Sequence, residues 1–401
     1  MKKKIVSIVP SPEKIPLSVP RIQGNEWVYI KECLDTNWVS SSGRFVDRFE
    51  EVVAGYVGRK YAVACINGTA ALHCALLTAG ITTGEEVIMP ALTFVAPANA
   101  VRYSGAFPVF VDVQPDIWQL DPDKVMEFLE SGCRWTKGKL VNRRTRRVVT
   151  AILPVHILGH PVDMDPIRRL AAKYQLRVIE DAAESLGAEY RGHKVGADGD
   201  MACISFNGNK IITCGGGGMI LTDDRKFAER ARYLTTQAKD DPIENIHGAI
   251  GYNYRLSNIQ AAMGTAQLEQ LDRFVQHKRD IAGSYMRSLA GIEGITLQGV
   301  ASWAKSSFWL NTVLVDRKQY GMDSRQLMRK LAVAEVETRP FWCPLPMLKP
   351  YQSSYSCPIP VTRRLYRDGI SLPSSVGLTT EQQQRVVQVL SANSRNGYRA
   401  R

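Results

Sequence analysis

The sequence predicts an α/β fold: a large domain with a mainly parallel sheet of seven strands flanked by helices, followed by a smaller α+β domain. Seven short apolar runs, at 61–66, 86–89, 108–111, 149–156, 176–180, 201–206 and 218–222, have the length and bounding turns of buried strands. Helical patterns such as 70–79 separate several of them, and this alternation builds parallel sheets covered on both faces. The chain has 401 residues and is 45% apolar, enough for one large core and a second smaller one. The boundary is expected at 270, with a large domain over 1–270 and a small one over 271–401.

Taken in order, 15–58 reads as an N-terminal helical segment. Trp27, Ile30 and Leu34 stand at helical spacing behind Gly24-Asn25, a plausible cap. Phe45, Phe49, Val52, Val53 and Tyr56 mark a second amphipathic helix ending near Gly58. After the seven strand runs, a long helical stretch from Leu256 to Val275 links to the smaller domain, where 308–316 and 335–339 suggest strands. The polar, basic tail from Ser391 is expected to fray.

Composition removes some function classes. Eight cysteines without paired short spacing suggest neither a zinc site nor a disulfide framework, so the expected setting is reducing and cytoplasmic. The start, Met1 to Lys4, is basic, but the apolar stretch behind it ends at Pro10 and is too short for a signal peptide. No run reaches the roughly 18 apolar residues of a membrane span. A formal net charge of +12 favours acidic partners without choosing among nucleic acid, anionic lipid and a phosphorylated small molecule.

In parallel sheets, ligands collect at the carboxyl ends of the strands, and four motifs fall there. Asn67-Gly68-Thr69 follows the first strand and opens a helix; it is either an ordinary capped turn or a phosphate cradle of free N–H groups and a hydroxyl. Phe94 follows the second strand, placed either to stack on a ring or to join the core. Asp181, with Glu184 after it, ends the fifth strand. There a carboxylate suits either an acidic helix start or a buried partner for a protonated ring nitrogen. Lys210 lies five residues beyond Ser205, which ends the sixth strand. A cradle, an aromatic, a carboxylate and an amine, in that order, are the equipment of a pyridoxal 5'-phosphate site.

From 15–18 to 371–373, the sequence also resembles the DegT/StrS-type sugar aminotransferases, of fold type I of the pyridoxal-phosphate enzymes. In Ser-Phe-Asn-Gly-Asn-Lys, Lys210 matches the Schiff-base lysine. The resemblance further implies that Asp181 pairs with the pyridine nitrogen, that Glu184 contacts the ring and that Phe94 stacks on it. Gly68, Thr69 and Ser205 match phosphate contacts. Asn253, in Gly251-Tyr-Asn-Tyr-Arg-Leu-Ser257, matches an Asn that reaches the neighbouring subunit's phosphate, which implies a homodimer with shared active sites. Asn37-Trp38-Val39-Ser40 and Gly159-His160-Pro161-Val162-Asp163 look most like the branch acting in legionaminic-acid and related pathways.

The implied activity is ping-pong amino transfer, with Lys210 as covalent anchor and proton shuttle. The implied donor is an amino acid, L-glutamate, and the acceptor a nucleotide-linked ketosugar of the UDP-4-keto-6-deoxy-N-acetylhexosamine type. A dehydratase offshoot of the family carries His in place of the lysine, so Lys210 selects transamination. Trp38, His160, Trp309 and Arg339 are the substrate candidates, with Arg339 equally suited to a structural ion pair. Many members have Gln near His160 and His near Trp309, so the pocket is expected to differ from theirs. His156 and His160 have the spacing of a helical metal pair, but Gly159 and Pro161 make the segment a loop, and no metal is expected. The basic cluster 134–147 reads as a solvated loop before a strand, and neither nucleic acid nor a membrane is expected as a partner. Gly215 to Gly218 precede a strand, not a helix, so they are no dinucleotide loop; they read as space for the cofactor.

Overall fold

The apolar runs are buried along most of their length, as only a sheet covered on both faces allows. The structure, a computed structural model, describes residues 13–241, 243–395 and 397. The basic start at 1–4 and the tail at 396 and 398–401 lie outside the described residues. Seven strands match the expected runs: β1 Tyr61–Cys65, β2 Glu86–Pro90, β3 Phe107–Val111, β4 Val149–Ile152, β5 Arg177–Asp181, β6 Met201–Ser205 and β7 Gly218–Thr222. They lie in the order β1, β7, β6, β5, β4, β2, β3. Only β7 runs antiparallel to its neighbours, so β1 to β6 all end at one edge. At that edge β7 begins, with Gly218 opposite both Cys65 and Ser205.

An eighth strand, Tyr355–Ser356, pairs parallel to β3 at the far edge. Two residues leave no periodic pattern to read, and the backbone bond from Cys357 N–H to the Phe110 carbonyl extends the pairing. The basic cluster is a hairpin, Cys133–Thr136 against Lys139–Asn142, and not a loop. Lys137 and Gly138 both take positive φ, 49° and 74°, as a two-residue turn with the right twist requires.

The N-terminal helix Glu26–Asp35 is present, but its expected stripe does not face inward. Trp27 is 73% exposed and Leu34 is also exposed, while Glu26 and Cys33 are buried. Glu26 receives the Gln267 side-chain amide and the Gly24 N–H, so a polar contact sets the rotation of this helix. The second helix, Arg44–Val57, buries Phe45, Phe49 and Val53 as expected and stops at Gly58 with φ 84°. The long linking pattern divides into helices Asn258–Leu268 and Leu271–Leu289.

A second apolar cluster, containing Tyr285, Val313, Leu327 and Val386, forms on a four-stranded antiparallel sheet. Its strands are Ile295–Leu297, Asn311–Val315, Gly369–Leu372 and Arg339–Pro340. The first and last have only three and two residues, so the run expected over 335–339 pairs in this sheet only at its end, and the first leaves no pattern to read. The N-terminal segment belongs with this unit: Ile15 bridges Val336, and the Leu17 carbonyl accepts from Ser374 N–H. Chain order and spatial grouping therefore differ at both ends.

Lys278, on helix Leu271–Leu289, is buried at the junction and donates to the carbonyls of Trp309 and Ser374. Burial pulls its amine down from 10.5 to about 7. Above that value the unfolded chain still holds the proton that the folded chain has released, so stability rises with pH. Chemical unfolding at about pH 7 and pH 8.5 is expected to show wild type gaining roughly 1.5 kcal/mol relative to Lys278→Met, the slope approaching about 1.4 kcal/mol per pH unit.

Candidate active site

A cavity of about 610 Å³ opens at the carboxyl edge of the sheet, lined by residues of both apolar units. One wall is the start of helix Gly68–Thr78. Asn67 caps it by accepting the Ala70 N–H at 2.8 Å, which leaves the Gly68 and Thr69 N–H groups facing outward from the helix end. A Cβ on Gly68 would stand 2.8 Å from that of Ser205, so only glycine lets strand and helix approach this closely. Of the glycines after Lys210, Gly218 serves the same end: a Cβ on it would lie 2.5 Å from the Asn67 carbonyl, so it makes room for the 67–68 backbone. None of Gly215 to Gly218 lines the cavity, where space for the cofactor was expected.

Opposite stand Asp181 and Glu184, both buried. Asp181 accepts the Ala183 N–H at 3.0 Å, and Glu184 accepts the Leu158 N–H at 2.9 Å. Leu158 and Gly159 take positive φ, 61° and 92°, a conformation that costs a leucine energy and that its bond to Glu184 helps to hold. Burial pushes both carboxyls above their ordinary range, and the Lys210 ammonium pulls each back. The Lys210 Nζ lies 3.5 Å from Glu184 Oε1 and 3.9 Å from the centre of a Trp309 ring. Trp309 is fixed in turn, its indole N–H donating to the Asn209 carbonyl at 2.8 Å.

Phe94 is not core: 53% exposed, it lines the cavity. Gly68, Thr69, Asp181, Glu184, Ser205, Lys210, Trp309 and Arg339 line it too. Arg339 also forms the ion pair that was its alternative reading, 2.7 Å to Glu337. Two substrate candidates lie elsewhere. His160 is buried; its Nε2 accepts the Ala301 N–H at 3.1 Å, and burial lowers its pKa to about 4. Trp38 is 58% exposed on the surface, and its carbonyl receives the Asn258 amide. Asn253 is exposed and does not line this chain's cavity. The reading of motifs missed Ser18, which donates to the Asn209 carbonyl, and Glu337. Only the fold brings residue 18 beside residue 209.

Free helix-start N–H groups with two hydroxyls fit a phosphate. The open aromatic face, the buried carboxylate and the enclosed amine fit the ring and aldehyde of pyridoxal phosphate. Fold and site together are those of a pyridoxal-phosphate enzyme of the aminotransferase class.

Comparison with known proteins agrees. The model of the DegT/DnrJ/EryC1/StrS aminotransferase family matches residues 20–391. GDP-perosamine synthase of Caulobacter vibrioides is 42% identical over 94% of this chain and 97% of its own length. The enzyme of that name from Escherichia coli O157:H7 is 38% identical over 92% and 95%. The crystal structure of DesV from S. venezuelae superposes with a TM-score of 0.82 at 32% identity, covering 91% and 93%. The chain belongs to the DegT/DnrJ/EryC1/StrS aminotransferase family, and its cofactor is pyridoxal phosphate. Among the described residues, no helix is long and apolar enough to cross a membrane.

Gly68→Ala should weaken pyridoxal-phosphate affinity at least about tenfold, by fluorescence titration of the apoprotein, with an unchanged far-ultraviolet spectrum. The added methyl pushes Ser205 and the helix start apart.

Proposed function

We propose that this chain transfers an amino group from an amino acid, L-glutamate, to a nucleotide-linked ketosugar. The observation that carries this is the enclosure of the Lys210 amine beside Glu184, in a cavity that also contains Asp181 and the Gly68-Thr69 helix start. Pyridoxal phosphate, when bound, supplies an electron-accepting ring and the carbon on which the amino group rides between donor and acceptor. Lys210 would anchor it covalently, and its amine is placed to move the proton at the donor's α-carbon as base and then acid. Asp181 would hold a proton on the ring nitrogen, where the opposite charge offsets the cost of its own burial. Gly68, Thr69 and Ser205 would hold the phosphate, Phe94 would cover the ring, and Glu184 keeps the amine of Lys210 beside it.

For the acceptor, the two relatives named above favour a GDP-linked ketohexose over the UDP-linked N-acetylhexosamine suggested by the sequence, since each is named for a GDP sugar. Shared active sites in a homodimer are part of this reading. Exposed Trp27, Val28, Leu34 and Trp38 form apolar surface of the kind that a second copy covers, and exposed Asn253 is free to reach the partner's phosphate.

Amine transfer from glutamate to a panel of GDP-, UDP- and TDP-ketosugars should give an amino-sugar product by mass with at least one of them; no turnover on any would overturn the reading. Lys210→Ala should lose borohydride-stable labelling by pyridoxal phosphate and lower kcat by about four orders of magnitude. Trp27→Glu should shift the sedimentation mass from two chains towards one.

A further inference from the structure

A second cavity, of about 620 Å³, adjoins the active site, and both cavities are walled by Glu337 and Arg339. It lies between Lys14, the helix Ser324–Val333 and the segment 335–339. Four cations line it, Lys14, Arg325, Arg329 and Arg339, against two carboxylates, Glu335 and Glu337. Glu337 is already engaged, by Arg339 at 2.7 Å and by the Leu17 N–H. Arg325 is held in place: its guanidinium donates to the carbonyls of Tyr366 at 2.9 Å and Gly369 at 3.3 Å, and lies over the Tyr366 ring. Among the described residues, neither Lys14 nor Arg329 has a carboxylate partner. The groove therefore offers one preorganised cation and two uncommitted ones, the arrangement that binds a phosphate chain.

Size leads to the same place. Pockets of roughly 300–1,000 Å³ enclose a single drug-sized ligand, and the first cavity must take both the cofactor and the sugar. It leaves the rest of a nucleotide sugar to an adjoining space.

We infer that the groove beside Arg339 receives the diphosphate of the nucleotide-sugar substrate. Lys14, Arg325 and Arg329 are its anion contacts, and Arg339 stands at the passage between the two cavities. This inference rests on the nucleotide-sugar reading above. It divides the substrate between two chambers, with the keto carbon near Lys210 and the charged half beyond Arg339.

Ping-pong chemistry separates the tests, because the half-reaction with glutamate needs no anion in the groove. In the Lys14→Gln/Arg329→Gln double variant, KM for the nucleotide sugar should rise about tenfold, the loss expected from weakened charge-assisted contacts. The glutamate half-reaction, followed by the cofactor's visible absorption, should stay within about twofold. KM of the wild type should also climb more steeply with added salt than that of the variant. Pyrophosphate should inhibit the wild type competitively against the nucleotide sugar and bind the variant more weakly by calorimetry. Turnover with an unchanged KM would overturn the groove while leaving the transferase reading intact. So would pyrophosphate that binds in the groove without competing, since the site would then serve a free anion and not the substrate. Absence of turnover on every nucleotide sugar would overturn both.

Discussion

The active site depends on one buried carboxylate that does not enter it. Glu180 and Asp181 are consecutive on β5, so their side chains leave the strand in opposite directions. Glu180 accepts the N–H groups of Gly196, Asp198 and Gly199, faces Arg59 at 3.7 Å and meets His156 Nε2 at 3.0 Å. Burial alone would raise its pKa, but the His156 and Arg59 contacts and the N–H groups outweigh it and hold the carboxyl below its ordinary range. A charge satisfied this fully is costly to disturb, and it fixes the strand end.

From that end the positioning propagates outward. His156 takes the Val162 N–H on its other ring nitrogen, and its backbone N–H donates to the Asp181 carbonyl. The loop from Val155 to Val162 is therefore held against β5 by side chain and main chain together. That loop presents the Leu158 N–H to Glu184, and Glu184 faces Lys210. A group that does not line the cavity thus bears on where the amine points, through this chain of contacts.

Two carboxyls and one amine are buried together in the cavity, and burial holds both carboxyls above their usual range although the Lys210 charge pulls each back. The proposed pairing of Asp181 with a protonated ring nitrogen would add a second cation beside these carboxyls. Phe94 follows the same logic. An aromatic 53% exposed inside a cavity is poorly placed as core and well placed to meet a flat ring.

The sequence by itself determined the seven strands, the edge at which their ligands gather and the order of cradle, aromatic, carboxylate and lysine, because burial writes apolar runs and functional groups follow strand ends. It also carried the family in its motifs. Only the tertiary structure decided which neighbours those groups meet. His160 has the chemistry of a substrate contact, yet it caps the Ala301 backbone inside the protein. Trp27 and Leu34 have helical spacing, yet Glu26 turns their helix the other way. Ser18 shows no local signal at all, since its importance comes from lying beside a residue some two hundred positions distant. Periodicity records whether a residue is buried within its own element; partners across the fold are set by packing, which leaves little trace in any one stretch of chain.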